Sequence, residues 1–109
     1  MKRSSGLTHV VVFTLHSGVT RQDERAKHAA AISAGHPLHI EQIQTWSCGW
    51  DCSGREDAAD FVVVGTFATP EDFAVFQSHP DHQRGKDAWA KIATWMVAEI
   101  TGDDGASRE

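Results

Sequence analysis

The sequence predicts an α+β domain with one antiparallel four-stranded sheet and helices after the first and third strands. Three observations predict it. "THVVVFTLH" and "DFVVVGTFA" are β-branched runs, the first with the two-residue alternation of a strand. A segment with helix-start chemistry follows each, "TRQDERAKHAAAISA" and "TPEDFAVFQS". The full order reads strand, helix, strand, strand, helix, strand, which is the split βαβ arrangement of a ferredoxin-like domain.

Each element has a local reason. From Thr8 to His16, His9, Val11, Phe13 and Leu15 share one strand face, while Val10, Val12 and Thr14 share the other. Gly18 ends that strand. Thr20 offers a capping hydroxyl with Asp23 three residues later, and Ala26, Ala29, Ala30 and Ala34 give the helix a small-residue face that can lie close to a sheet. Gly35 and Pro37 are expected to stop it. "IEQIQTWSCGW" is a weaker strand, from Ile40 to about Cys48, because its alternation slips between Ile40 and Ile43. The strand after the polar loop "DCSGREDA" is apolar on both faces and therefore central. Thr69, Pro70, Glu71 and Asp72 open the next helix with a cap, a first-turn proline and acids at the positive dipole end. Pro80 breaks it, Asp81 can cap a further helix through "HQRGKDAWAKIA", and Thr94 to Thr101 is the last strand.

A chain of 109 residues is the size of one domain. The expected divisions are a disordered N-terminal segment over 1–7, the folded domain over 8–101 and a flexible acidic tail over 102–109. The net charge of −5, with no basic cluster, points away from nucleic acid. No apolar run approaches the roughly 20 residues of a membrane span, and "MKRSSG" is not followed by a signal-peptide core, so a cytoplasmic protein with no membrane partner is expected. Cys48 and Cys52 have C-x3-C spacing, which fits neither a redox pair nor a structural zinc cluster, and they read as buried or half-buried thiols. The chain has no glycine-rich phosphate loop, complete metal-ligand set or haem attachment motif, so no cofactor and no metal are expected.

Helices can cover only one face of the sheet, yet Val62, Val63 and Val64 make the central strand apolar on both. A second copy, sheet to sheet, is the expected cover, giving a homodimeric α/β barrel.

"HVVVF" in the first strand, "HPLHI" after the first helix and "DFAVFQSHPDH" occur in an order that resembles the stress-responsive dimeric α/β-barrel proteins, the Dabb family. The third motif is the most specific, an aromatic residue followed after two positions by His-Pro-x-His. The resemblance covers His9 to about Ile100. It implies a dimeric barrel enclosing an apolar small molecule. Some members are cofactor-free polyketide cyclases of the olivetolic acid cyclase type, and others have no established activity. For a cyclase it implies His82 as base and His9 at the site, with an assisting Tyr at the position of Phe76. This chain contains no Tyr.

The catalytic candidates are thus His82 and His9, with Phe76, Phe73, Phe13, Val11, Ala31 and Trp46 as substrate contacts. Histidine suits removal of a proton beside a carbonyl because its ordinary pKa lies near neutrality. His79, at a helix end before Pro80, reads as a donor to free carbonyls, and Pro80 should make His79 and His82 diverge. His16, His28, His36 and His39 fall near element ends or on exposed faces and read as ordinary surface residues, while Trp89 and Trp95 read as core. Two further readings stand beside the cyclase: a non-catalytic stress-response or ligand-binding barrel, and a cofactor-free monooxygenase of the same architecture.

Overall fold

A computed structural model describes residues 6–101. The elements are β1 (Leu7–Leu15), α1 (Glu24–His39), β2 (Thr45–Trp50), β3 (Phe61–Phe67), α2 (Pro70–Ser78), α3 (Pro80–Ala90) and β4 (Ala93–Thr101). They form one antiparallel sheet in the order β2-β3-β1-β4. The expected ferredoxin-like α+β fold is present. The acidic tail and most of the N-terminal segment lie outside the described residues, but Leu7 belongs to β1, where it pairs with Phe67 and Thr101.

The sheet has two unlike faces. His9, Val11 and Phe13 on β1 and Phe61, Val63 and Phe67 on β3 are buried under the helices. Of these, Val11, Phe13, Phe61 and Val63 make one core cluster with Ala26, Ala29, Trp89 and Ile92, in which the Phe13 ring stacks on Trp89 at 4.2 Å. Ile40, Phe67, Phe73 and Phe76 make a second cluster. On the opposite face Val62, Val64, Met96 and Ile100 are exposed, Met96 to 74%.

Helix α1 does not stop at Gly35 and Pro37; both lie inside it. A proline lacks the N–H that would bond the carbonyl four residues back, here that of Ser33. That carbonyl instead accepts a hydrogen bond from the Trp46 indole N–H at 3.0 Å. The Ser33 hydroxyl accepts from the Trp89 indole at 2.9 Å. One buried serine thus pins two tryptophans, and the helix continues because its freed carbonyl is satisfied. Asp23, rather than Thr20, caps its start. Strand β2 begins at Thr45, since Ile40 is the C-cap of α1 and is buried under Phe67 and Phe73.

Trp46 lies across β3 at Gly65, where an added Cβ would come within 2.6 Å of the indole. Cys48 is half-buried and Cys52 is exposed, which corrects the expectation that both thiols are at least half-buried. Cys52 lies beyond the end of β2, where the sheet no longer covers it.

Candidate functional site

The "SHPDHQRG" stretch builds one side of the site. His79 ends α2 and caps α3: its backbone N–H bonds the Phe76 carbonyl at 3.1 Å, and its Nδ1 accepts from the Asp81 N–H at 3.0 Å. The expected donor to free carbonyls is therefore, through its ring, an acceptor at the next helix start. Pro80 occupies the first helical turn, where a missing N–H costs nothing. With the cap supplied by His79, Asp81 is free to turn toward α1. There its carboxylate accepts from His36 Nδ1–H at 2.7 Å and from Arg84 at 2.9 Å. Gly85 completes the approach of α3 to α1, since a Cβ there would stand 3.0 Å from His36 Nε2.

His36 is only 3% exposed, which corrects the reading of it as a surface residue. Burial pushes its pKa down and outweighs the opposing pull of Asp81, so the imidazole is neutral. Burial works to raise Asp81, but hydrogen bonds from His36 and Arg84 prevail and hold the carboxyl below its usual range.

His82 follows on the inner side of α3, its ring 4.2 Å from that of Phe76 and 5.9 Å from that of His36. Its Nδ1–H donates to the Gln77 carbonyl at 3.2 Å, which leaves Nε2 with the free lone pair. Burial, partly opposed by that carbonyl and helped by the nearby His36, Lys86 and His9, brings its pKa down to about 4. On β1, His9 Nδ1 lies 2.8 Å from a carboxylate oxygen of Glu99, its register partner on β4.

His9 and His82 line the same cleft, of about 310 Å³. Val11, Phe13, Trp95 and Val97 form its apolar wall, and Gln77, Lys86 and Glu99 supply further polar groups. The cleft exists because β4 extends the sheet beyond the helices: Val97 pairs with Val11 yet remains 55% exposed. It is a cleft open along β4 rather than an enclosed chamber. A hollow of about 380 Å³ beside Arg21, Trp50, Asp51 and Asp60 contains no histidine.

Of the expected substrate contacts, Val11 and Phe13 line the cleft. Phe73 and Phe76 do not; they are buried behind His9, with ring centroids at 5.1 and 5.7 Å, and hold the imidazoles from the core side. Trp46 is likewise behind the site, packed against His36 and Phe76. Ala31 is exposed on α1, because the helix turns Ala29, Ile32 and Ser33 inward. Glu99, Gln77 and Lys86 were not singled out from sequence. Lys86 had a usable signal, standing four residues after His82 on one helix face. Among the described residues no three His, Cys, Asp or Glu side chains form a group able to hold a metal, and no helix is long and apolar enough to cross a membrane.

One consequence is measurable in stability. Folded His82 takes its proton near pH 4, whereas an unfolded histidine does so near pH 6.5. Its stabilising contribution is complete above pH 6.5 and is lost as pH falls toward 4. His36, also lowered, acts in the same direction. Denaturant melts at pH 7 and pH 4.5 should differ by on the order of 2 kcal/mol from His82 alone, and His82→Phe should remove much of that difference.

Comparison with known proteins agrees with the geometry. Residues 7–101 match the stress responsive A/B barrel domain, Dabb. An uncharacterized protein of Streptomyces coelicolor is 33% identical over 95 residues, covering 85% of this chain and 96% of its own. A dimeric ferredoxin-like protein of unknown function from Thermobifida fusca superposes with a TM-score of 0.79 at 20% identity, over 91% of this chain and 92% of its own. A hydroxynitrile lyase from Passiflora edulis superposes with a TM-score of 0.76 at 15% identity, over 91% and 94%. With its ferredoxin-like strand order and a match that runs over residues 7–101, this chain belongs to the Dabb family of stress-responsive A/B barrel domains.

Proposed function

We propose that the chain forms a homodimer in which each cleft binds a small, largely apolar carbonyl compound and carries out cofactor-free acid–base chemistry on it. The observation that carries this reading is the pairing of two histidines, His9 and His82, on one apolar-walled cleft. His82 is neutral at working pH and presents Nε2 as a proton acceptor. In a cyclisation it removes a proton from carbon beside a carbonyl. The carbanion then forms a carbon–carbon bond to a second carbonyl carbon, and the proton returns to the new alkoxide. His9, held in place by Glu99, orients the substrate oxygen. Cleavage of a hydroxynitrile, the activity for which the Passiflora neighbour is named, needs the related proton transfer at oxygen.

The test is turnover of mandelonitrile and of a linear triketone by purified protein, followed as benzaldehyde release and as ring formation. Turnover of either that depends on both His82 and His9 supports the reading. Absence of both favours a non-catalytic ligand-binding barrel. A specific observation favours that second reading: the aromatic stacked on His82 is Phe76, which offers no hydroxyl to a developing oxyanion.

The dimer rests on the exposed apolar sheet face of Val62, Val64, Met96 and Ile100, flanked by Val10 and Val12, and on the dimeric state of the Thermobifida neighbour. Sedimentation at micromolar concentration should give twice the 11.9 kDa chain mass. Val64→Lys should shift it toward monomer by placing a charge in the middle of that face. A wild-type monomer overturns the proposal.

A further inference from the structure

The polar groups bordering the cleft are not equally free to meet a ligand. His9 Nδ1 and Glu99 are committed to each other, and His82 Nδ1 is committed to the Gln77 carbonyl, which also accepts from the Gln83 side chain at 2.7 Å. Lys86 differs. Among the described residues no carboxylate lies within ion-pairing distance of it. It stands one helical turn beyond His82 on α3, so its ammonium and the His82 ring project from the same helix face into the cleft.

We propose that the ligand of this cleft is an acid: an aromatic or otherwise apolar carbonyl compound bearing a carboxylate, which pairs with Lys86 while the body lies over Val11, Phe13, Trp95 and Val97. The proposal rests on the acid–base reading above and narrows its substrate class. Neighbouring Cβ atoms one turn apart are about 5–6 Å from each other. A carboxylate on Lys86 therefore puts the carbon facing His82 only a few bonds away, the spacing of a keto acid or an aryl carboxylic acid. The chain's net charge of −5 opposes anions at long range, but at ordinary ionic strength that field fades within about 8–10 Å. Among the described residues lining the cleft the one negative side chain is Glu99, which already has His9 as partner. An ammonium with no carboxylate partner among the described residues, beside an apolar wall, thus favours an anion that has its own apolar body.

The test compares 1-naphthoate with the neutral 1-naphthamide on the full-length protein. Binding is read by tryptophan fluorescence, and its location by the ring signals of His9 and His82 in heteronuclear NMR. The expected result is tighter binding of 1-naphthoate by about tenfold at low salt, the worth of one charged hydrogen bond. Both probes should perturb His9 and His82, and the preference should vanish in Lys86→Gln. Because Lys86 is one of the charges lowering His82, the same substitution should also move the His82 titration upward. Equal affinity for the two probes while both perturb the histidines overturns the acid proposal and leaves the acid–base reading standing. A preference that survives Lys86→Gln overturns it as well. Failure of both probes to perturb either histidine counts against the cleft as a ligand site, and so against both proposals.

Discussion

Replacing His82 with glutamine should lower the rate of a proton-transfer reaction in the cleft by about 10²–10⁴-fold, the usual worth of a positioned general base. Glutamine keeps polarity and some bulk against Phe76, so loss of packing is limited, and the effect should fall on kcat more than on KM. The pH profile offers a second reading. With its pKa brought down to about 4 by burial, His82 is already deprotonated well below neutrality. The kcat/KM attributable to it should therefore rise through pH 4 and be flat from about pH 5.5 to 7. A rate unchanged in His82→Gln, with loss in His9→Gln, would move the base to β1.

The second large effect concerns folding. Asp81→Ala should cost about 2–4 kcal/mol, because it strands the buried His36 N–H and removes the partner of Arg84. For a domain of this size that corresponds to a fall in melting temperature of roughly 4–8 °C per kcal/mol. Asp81→Asn, which keeps an acceptor oxygen, should cost less. A double-mutant cycle with His36→Phe would isolate the coupling, since the two residues contribute one interaction. Single and double variants with additive losses would mean that the contact between them contributes little.

These two residues also mark where the sequence was readable and where it was not. Strands β1 and β3 follow from alternation and β-branching, and α2 from its cap and first-turn proline, all of which are local signals. The end of α1 was misplaced because Pro37 is a breaker unless the carbonyl it frees finds a donor, and that donor, Trp46, lies on another element. His82 and His9 were singled out through the family resemblance, and the structure places both on one cleft. Their companions depend on long-range pairing: His36 meets Asp81 across 45 positions and His9 meets Glu99 across 90. Such partners carry no local pattern, and only the register of β1 against β4 and the docking of α3 on α1 reveals them. Phe76 was expected at the cavity surface because aromatic spacing identifies the inward helix face, but not which inward residue stops short of the ligand.

The overhang of β4 beyond the helices has a consequence for how such a protein can diversify. Trp95, Val97 and Glu99 border the cleft without being fully buried, while Val11 and Phe13 beside them on β1 belong to the closed core. Substitutions on β4 can therefore reshape the bound molecule's surroundings at the modest folding cost of partly solvated positions, whereas the same changes on β1 would open cavities. Change can thus act on one strand of the wall and spare its neighbour. The β1 side chains hold the core together, and those of β4 set the shape that a bound molecule meets.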